Sequence, residues 1–585
     1  MKTLRHPFNI VALGLTACAL LAAPWASADI LGATPAPSME IAFKNSNSAK
    51  GAWTVRKTQW DASDEQGYQN FVVRMAKSKC NSVDTCFKNP MSNPYYDPAQ
   101  ESEVFFYADC GRFPYLLRMY YAWKNGLPFT AVTGKSGTPE DIEEWTSDQR
   151  KLFNLFPNAA RDFSLANSKS GTLMKSRTTI PAAEPKSYNF FSSARYIISN
   201  VNSSNYRFDA NTTMPVDPDF YPVKMDRNNI KPGTIIYDPS GHVAVVYEVT
   251  PTGDVRYFDS HPDNGVTHKL YNKAFLRSRP AHGAGFKNFR PFSIVSARSN
   301  STGYTAGAIV TANNQSIPGF SLEQFVGTNP DPSGNWSKGT FAVQGRIVDY
   351  YEFLKLNLAT DANTKIRPLD QLKAEIDELC SGFQDRALDA QKAIDQGLHL
   401  QPHPEKLPMN IYQAEGDWEN YSTPGRDFRI RSTFYEIIKS IKGYNDRINA
   451  RDSLIEYNGG SFKADVIAMA KTAGETCRIS YKNSAGKMVT FNLLDGLSRV
   501  NRLSFDPYLC IERRMGASSP QELGTCTDDE NKTRWYKAQN FIRNLLVKDN
   551  TVVYGQTLEE LEAENAKNPT FYRYDFLYYI DKYIP

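Results

Sequence analysis

Apolar residues at positions 113, 116, 117, 120 and 121 recur at helical spacing, and this predicts a helix. Asn125-Gly126 stops that helix and Leu127-Pro128 cannot continue it, so it runs from about 110 or 113 to about 124. Pro114 opposes a start at Cys110, because its ring crowds the Cys110 carbonyl and it has no N–H to bond there; the first turn is distorted or begins later. Further on the rhythm becomes extended. Residues 231–238 read as a turn and a strand, 242–249 as a strand after the turn Pro239-Ser240-Gly241, and 255–259 as its antiparallel partner. Positions 368–396, 426–448, 533–546 and 558–567 read as helices. The expected class is α+β.

The hairpin puts histidine at its root. Antiparallel partners keep a constant sum of residue numbers, so a turn centred between 250.5 and 251.5 sets His242 opposite a residue between 259 and 261. Asp259 and His261 both qualify, and they share one face of an extended strand.

Composition removes several classes. The chain has 585 residues, 41% hydrophobic and 22% charged, enough to bury several cores. Its formal charge is +4, or +2 without Lys2 and Arg5, and neither value argues for nucleic acid. Mean hydropathy is −0.49, and no apolar run beyond the N-terminus predicts a membrane span. Residues 1–28 read as an export signal: basic Lys2 and Arg5, an apolar stretch over 8–23, and Ala26-Ser27-Ala28 as the cleavage site. The rival reading makes Leu15-Thr16-Ala17-Cys18 a lipobox and Cys18 a lipid anchor. Both imply a bacterial periplasmic or secreted protein.

Export gives the cysteines a meaning. Seven remain after the leader: Cys80, Cys86, Cys110, Cys380, Cys477, Cys510 and Cys526. Local closure of Cys80 with Cys86 and of Cys510 with Cys526 leaves Cys380 for Cys477, one of 15 connectivities for six thiols, and sets Cys110 apart. A buried inert thiol is the bland account of such a residue. Its placement at a helix start argues otherwise, since unpaired N–H groups and the positive dipole end favour a thiolate. A carboxylate across from His242 can hold that ring's tautomer and stabilise the cation formed when it takes a thiol proton.

These motifs resemble a family. Asp109-Cys110-Gly111 before an apolar helix ending in Asn-Gly-Leu-Pro-Phe looks like the nucleophile helix of the papain-like cysteine hydrolase superfamily, in its NlpC/P60-like and transglutaminase-like branches. The segment 231–238 before Gly-His-Val-Ala-Val-Val-Tyr is similar to the strand pair that carries the NlpC/P60 histidine. The resemblance implies Cys110 as nucleophile, His242 as general base and later acid, and Asp259 as orienter, with His261 as its substitute. It covers roughly residues 70–270. It implies a papain-like core over 29–298 with a long insertion at about 136–231, because 132 positions separate Cys110 from His242. Nothing in the sequence supplies a side-chain donor for an oxyanion hole; the Cys110 N–H is one backbone candidate.

The rest of the chain carries weaker signals. Residues 299–322 are uncharged and rich in Gly, Ser, Thr and Asn, as a linker or loop would be, and 323–585 reads as a mainly helical domain of unknown role. His399 and His403 could be taken for a metal pair, but Pro402 and Pro404 break the helix that would align them. Glu415, Asp417 and Glu419 beside Trp418 could cleave sugars or form a solvated turn. No metal or cofactor is expected. The expected function is an exported thiol hydrolase or amidase acting on peptide or amide bonds, with cell-wall peptide as substrate. The alternatives are a transglutaminase-like amidase or crosslinker and a non-catalytic envelope-binding or assembly protein on the same fold.

Overall fold

In the computed structural model the described residues are 42–43, 50–136, 171–238, 241–275, 277–278, 280–408, 411, 417–543, 555–567 and 572–584. The expected leader, Cys18 and residues 137–170 of the expected insertion lie outside them. Asp61 opens α1 (Ala62–Lys77) with a capping box, its carboxylate accepting from the amides of Ser63 and Asp64 while Asp64 accepts from the Asp61 amide.

Helix α2 (Phe113–Lys124) begins three residues after Cys110. This resolves the conflict at Pro114, which stands in the first turn, where a missing N–H costs nothing. Eleven of its twelve residues, Phe113 to Trp123, are buried, so the helix is wrapped on all sides.

Strands β1 (Phe129–Ser136) and β2 (Leu173–Ile180) pair antiparallel, and α3 (Phe190–Asn200) follows. Then come β3 (Phe220–Pro222), β4 (Ile235–Tyr237), β5 (Val243–Val249), β6 (Val255–Ser260), β7 (Val266–Leu270) and β8 (Gly285–Phe289). These six form one antiparallel sheet in the order β3-β8-β4-β5-β6-β7. The described part of the expected insertion is thus built into the core: β3 is a strand of the main sheet, and Phe190, Phe191 and Ile197 of α3 are buried with α2.

Both faces of the sheet are covered. Ile235, Tyr237, Val243, Val245 and Phe258 pack with α1 and α2, whereas Ile236, Ala244, Val246, Val255 and Tyr257 pack with helices from the far end of the chain. Two buried faces explain why 243–247 is an unbroken apolar run instead of an alternating one. Each Val or Phe so buried contributes about 1.5–3 kcal/mol.

Residues 299–322 do not run as a free tether. β9 (Phe292–Ser299) and β10 (Thr305–Thr311) form a hairpin, and a single bridge joins Phe320 to Val223. The second cover of the sheet is α4 (Pro368–Asp395), α5 (Pro424–Asn449) and α6 (Phe462–Thr476). Leu372, Ile376, Leu379, Phe383, Ala387 and Ala390 form the apolar stripe of α4. The segment 533–546 is a broken helix, Glu530–Ala538 then Asn540–Arg543, with 544–546 outside the described residues; Leu558–Lys567 is helical. Pro35–Pro585 is one compact unit. Mixed α+β is the observed class. No described helix is long and apolar enough to cross a membrane.

Disulfides join Cys80 to Cys86, Cys380 to Cys477 and Cys510 to Cys526. Among the described residues Cys110 is the free cysteine.

Candidate functional site

Cys110 occupies the turn ahead of α2, where the Asp109 carbonyl accepts from the amides of Arg112 and Phe113. Gly111 is required here by close approach: a Cβ would lie 2.6 Å from the Ser203 nitrogen and 2.9 Å from the Asn202 carbonyl carbon. The Tyr206 hydroxyl donates to the Gly111 carbonyl at 2.8 Å. Asn264, in left-handed conformation, clamps the other side: its Nδ2 donates to the Phe106 carbonyl and its Oδ1 accepts from the Ala108 amide. Among the described residues, no hydrogen bond uses the Cys110 or Gly111 amide.

His242 stands one residue before β5. Its strand pairs with β6 at a residue sum of 504 near the turn and, past an irregularity between Val246 and Glu248, at 503. Continued to the strand root, the second register sets His242 across from His261. The ring nevertheless turns to Asp259, with Nε2 2.6 Å from Oδ2. The Cys110 sulfur interacts with the same ring and lies 4.0 Å from the Gly241 carbonyl oxygen. Since Asp259 takes Nε2, Nδ1 is the nitrogen left for the thiol. Burial pushes the His242 pKa down, but hydrogen bonds with Asp259 and with Cys110 outweigh it and hold it up at about 9.

Asp259 is itself held in place. Its Oδ1 accepts from the Thr267 hydroxyl on the paired strand β7, and Asp259 and Thr267 are directly opposite. Burial pushes its carboxyl up, yet the two histidines and Lys269 keep it well below the usual carboxylate range. The Phe258 ring beside it meets the Phe113 ring edge-on at 5.2 Å, which ties this strand to the start of α2.

His261 does not substitute for Asp259. Its Nε2 is 3.7 Å from Asp259 Oδ1, the oxygen that His242 does not use, and 3.3 Å from the Thr267 hydroxyl, and the two imidazoles lie near-parallel 5.9 Å apart. Burial, with Arg426, His242 and Lys269 nearby, lowers its pKa to about 4 against the pull of Asp259. It is a neutral ring.

Sequence reasoning finds Cys110, His242 and Asp259 but passes over Thr267, Tyr206 and Asn264. The Asn264-Gly265 turn is a hairpin signal that fixes Thr267 opposite Asp259. No local pattern announces Tyr206.

A cleft of about 650 Å³, its open mouth included, begins at His242, Asp259 and His261 and runs between β6 and helices α4 and α5. Cys110 is not part of its wall.

The weaker motifs have other roles. The His403 Nε2 is 2.7 Å from Asp506, its Nδ1 is 2.7 Å from the Pro404 carbonyl, and its ring stacks on Trp535, so it makes no metal pair with His399. Asp417 accepts from the Tyr508 hydroxyl and Trp418 is buried, while Glu415 lies outside the described residues. Cys510, Glu512 and Cys526 come close enough to hold a metal, but the two sulfurs are joined to each other.

No family profile, curated protein or solved structure matches the chain.

Proposed function

We propose that this protein is an exported thiol hydrolase with a papain-like core, and that it cleaves peptide or amide bonds by acyl transfer. One observation carries the reading: a free cysteine ahead of a buried helix interacts with a histidine whose second nitrogen is 2.6 Å from a buried carboxylate.

His242 takes the Cys110 proton on Nδ1, and Asp259 on Nε2 stabilises the resulting imidazolium. With its pKa near 9 the ring stays protonated at neutral pH. The thiolate adds to the amide carbonyl carbon, and the oxyanion that forms meets the uncommitted amides of Cys110 and Gly111. The imidazolium then donates its proton to the leaving nitrogen, the C–N bond breaks, and an amine departs from a thioester. Water, deprotonated by the neutral imidazole, adds to the thioester; the C–S bond breaks, releasing the acid and restoring the thiol.

Cell-wall peptide is the proposed substrate, supported by the export signal and the resemblance to the NlpC/P60 branch. Pro114 stands in the first turn of α2, so it leaves the turn that carries Cys110 undistorted, which is compatible with a catalytic thiol there. The test is incubation with isolated cell-wall peptides and mass spectrometry of the products. Cleavage that adds one water and disappears in Cys110→Ser and after iodoacetamide supports the reading. Cleavage that survives both treatments, or no cleavage of any amide panel, ends it.

A further inference from the structure

A second cleft, of about 580 Å³ with its open mouth included, is bounded by the turn ahead of β6, the helix Tyr350–Leu358 and α4. It shares no wall residue with the cleft that begins at His242. Glu375 of α4 lines it and is 7% exposed. One of its carboxylate oxygens, Oε1, accepts from the Ser440 hydroxyl at 3.3 Å, whereas the other, Oε2, is buried with no hydrogen-bond partner among the described residues. A buried acceptor left open is rare in a folded chain, and beside a cleft it marks a place for a donor.

The local charge is one cation short. Asp254 pairs with Lys355 and Glu352 with Arg447, but Lys273 serves two carboxylates, standing 3.2 Å from Asp349 and 4.0 Å from Glu375. Burial, with Asp349 and Glu436 nearby, pushes the Glu375 carboxyl up to about 7 against the pull of Lys273 and Ser440. The donor set is poor for a metal ion, since among the described residues no three histidine, cysteine or carboxylate ligand atoms converge here. A guanidinium is poorly matched too, because its fork needs two acceptor oxygens and Oε1 is taken. An ammonium needs only one. Val255, Leu270, Leu354 and Ile366 line the same cleft and offer an alkyl chain an apolar wall.

We propose that this cleft binds a primary alkylamine in its ammonium form. The ammonium donates to Glu375 Oε2 and supplies the positive charge that Lys273 divides between two carboxylates, and the alkyl chain lies on the apolar wall. Binding here is independent of the hydrolase reading, since neither Cys110 nor His242 is in the wall.

The experiment uses the Cys110→Ser protein, so that an amine cannot enter thiol chemistry. Thermal melts and calorimetry are run with n-butylamine, butyltrimethylammonium, n-butanol and butyrate. n-Butylamine is expected to raise the melting temperature at millimolar concentration. Butyltrimethylammonium keeps the charge without an N–H, n-butanol keeps a donor without the charge, and butyrate reverses the charge; each should bind roughly tenfold more weakly or worse. Glu375→Gln keeps the shape of the side chain and should weaken n-butylamine by a similar factor. Ala374→Leu, which fills the cleft from α4 with a good helix former, should remove binding while the protein still melts cooperatively; it serves where Glu375→Gln fails to fold. No n-butylamine binding, equal binding of butyltrimethylammonium or n-butanol, or undiminished binding in a folded Glu375→Gln or Ala374→Leu protein overturns the proposal.

Discussion

The Nε2 of His242 lies 2.6 Å from the Oδ2 of Asp259, with His242 one residue ahead of β5 and Asp259 in its paired strand β6. The contact fixes which ring nitrogen faces the sulfur. It also makes the protonated ring the stable one, because a buried carboxylate opposite an imidazole favours the imidazolium.

Iodoacetamide should label the native, unreduced protein at Cys110, since the other six cysteines among the described residues are joined in disulfides. His242→Ala should slow this labelling about tenfold at neutral pH, because the base that shares the thiol proton is gone. Peptide mapping reads both. Labelling confined to other cysteines would mean the free thiol is inert.

Asp259→Asn keeps the shape of the site and removes the charge. Turnover should fall by roughly 10²-fold or more, and the upper pH limit of activity should move down from about 9, where His242 titrates in the intact site. An unchanged pH profile would show that Asp259 does not act on the ring.

The two histidines should bend the stability curve in opposite directions. For His242 the folded pKa of about 9 exceeds its ordinary 6.5, so the folded state binds the extra proton; that stability is fully present below about 6.5 and is lost as pH rises through 9. For His261 the folded pKa of about 4 lies below 6.5, so stability is fully present above about 6.5 and is lost as pH falls toward 4. Each contribution is on the order of 3 kcal/mol. Urea melts from pH 4 to 10 should peak near pH 6.5, with the alkaline limb flattened in His242→Ala and the acid limb in His261→Asn. Limbs that persist unchanged in these variants would assign the titrations to other groups.

Gly111→Ala should be worse for activity than for folding. The added methyl meets backbone at 2.6 Å, not a side chain that can rotate away, so the turn carrying Cys110 must shift. Rates should drop about 10²-fold, as a misplacement near 1 Å costs, while the melting temperature changes by several degrees. Full activity in the alanine variant would show that the 202–203 segment yields freely.

Much of the site was legible because its signals are local. Cys110, the helix end at Asn125-Gly126 and the hairpin that brings His242 to Asp259 each follow from spacing within about twenty residues. The cysteine pairing followed from the short polar loops at 80–86 and 510–526, which left a single long-range pair. What was not legible depends on contacts between distant segments. Residues 299–322 include one arm of a hairpin, Thr305–Thr311, and composition alone does not separate that from a tether. The role of His261 turned on which oxygen of Asp259 it would face, a rotation that register does not specify. The cleft that begins at His242 is lined by α4 and α5, more than a hundred positions beyond that residue, and only packing against the sheet's second face brings them there.

That second face has a consequence for how the protein matures. Its covering is α4, α5 and α6, and Phe576 and Ile580 extend the same apolar cluster by packing on α5 and α6. A polypeptide made only as far as β8 would leave that face of the sheet bare and prone to stick to itself. The sheet is therefore finished only by helices that begin at Pro368, well after its last strand ends at Phe289, so the two faces of one sheet are closed at different stages of chain growth.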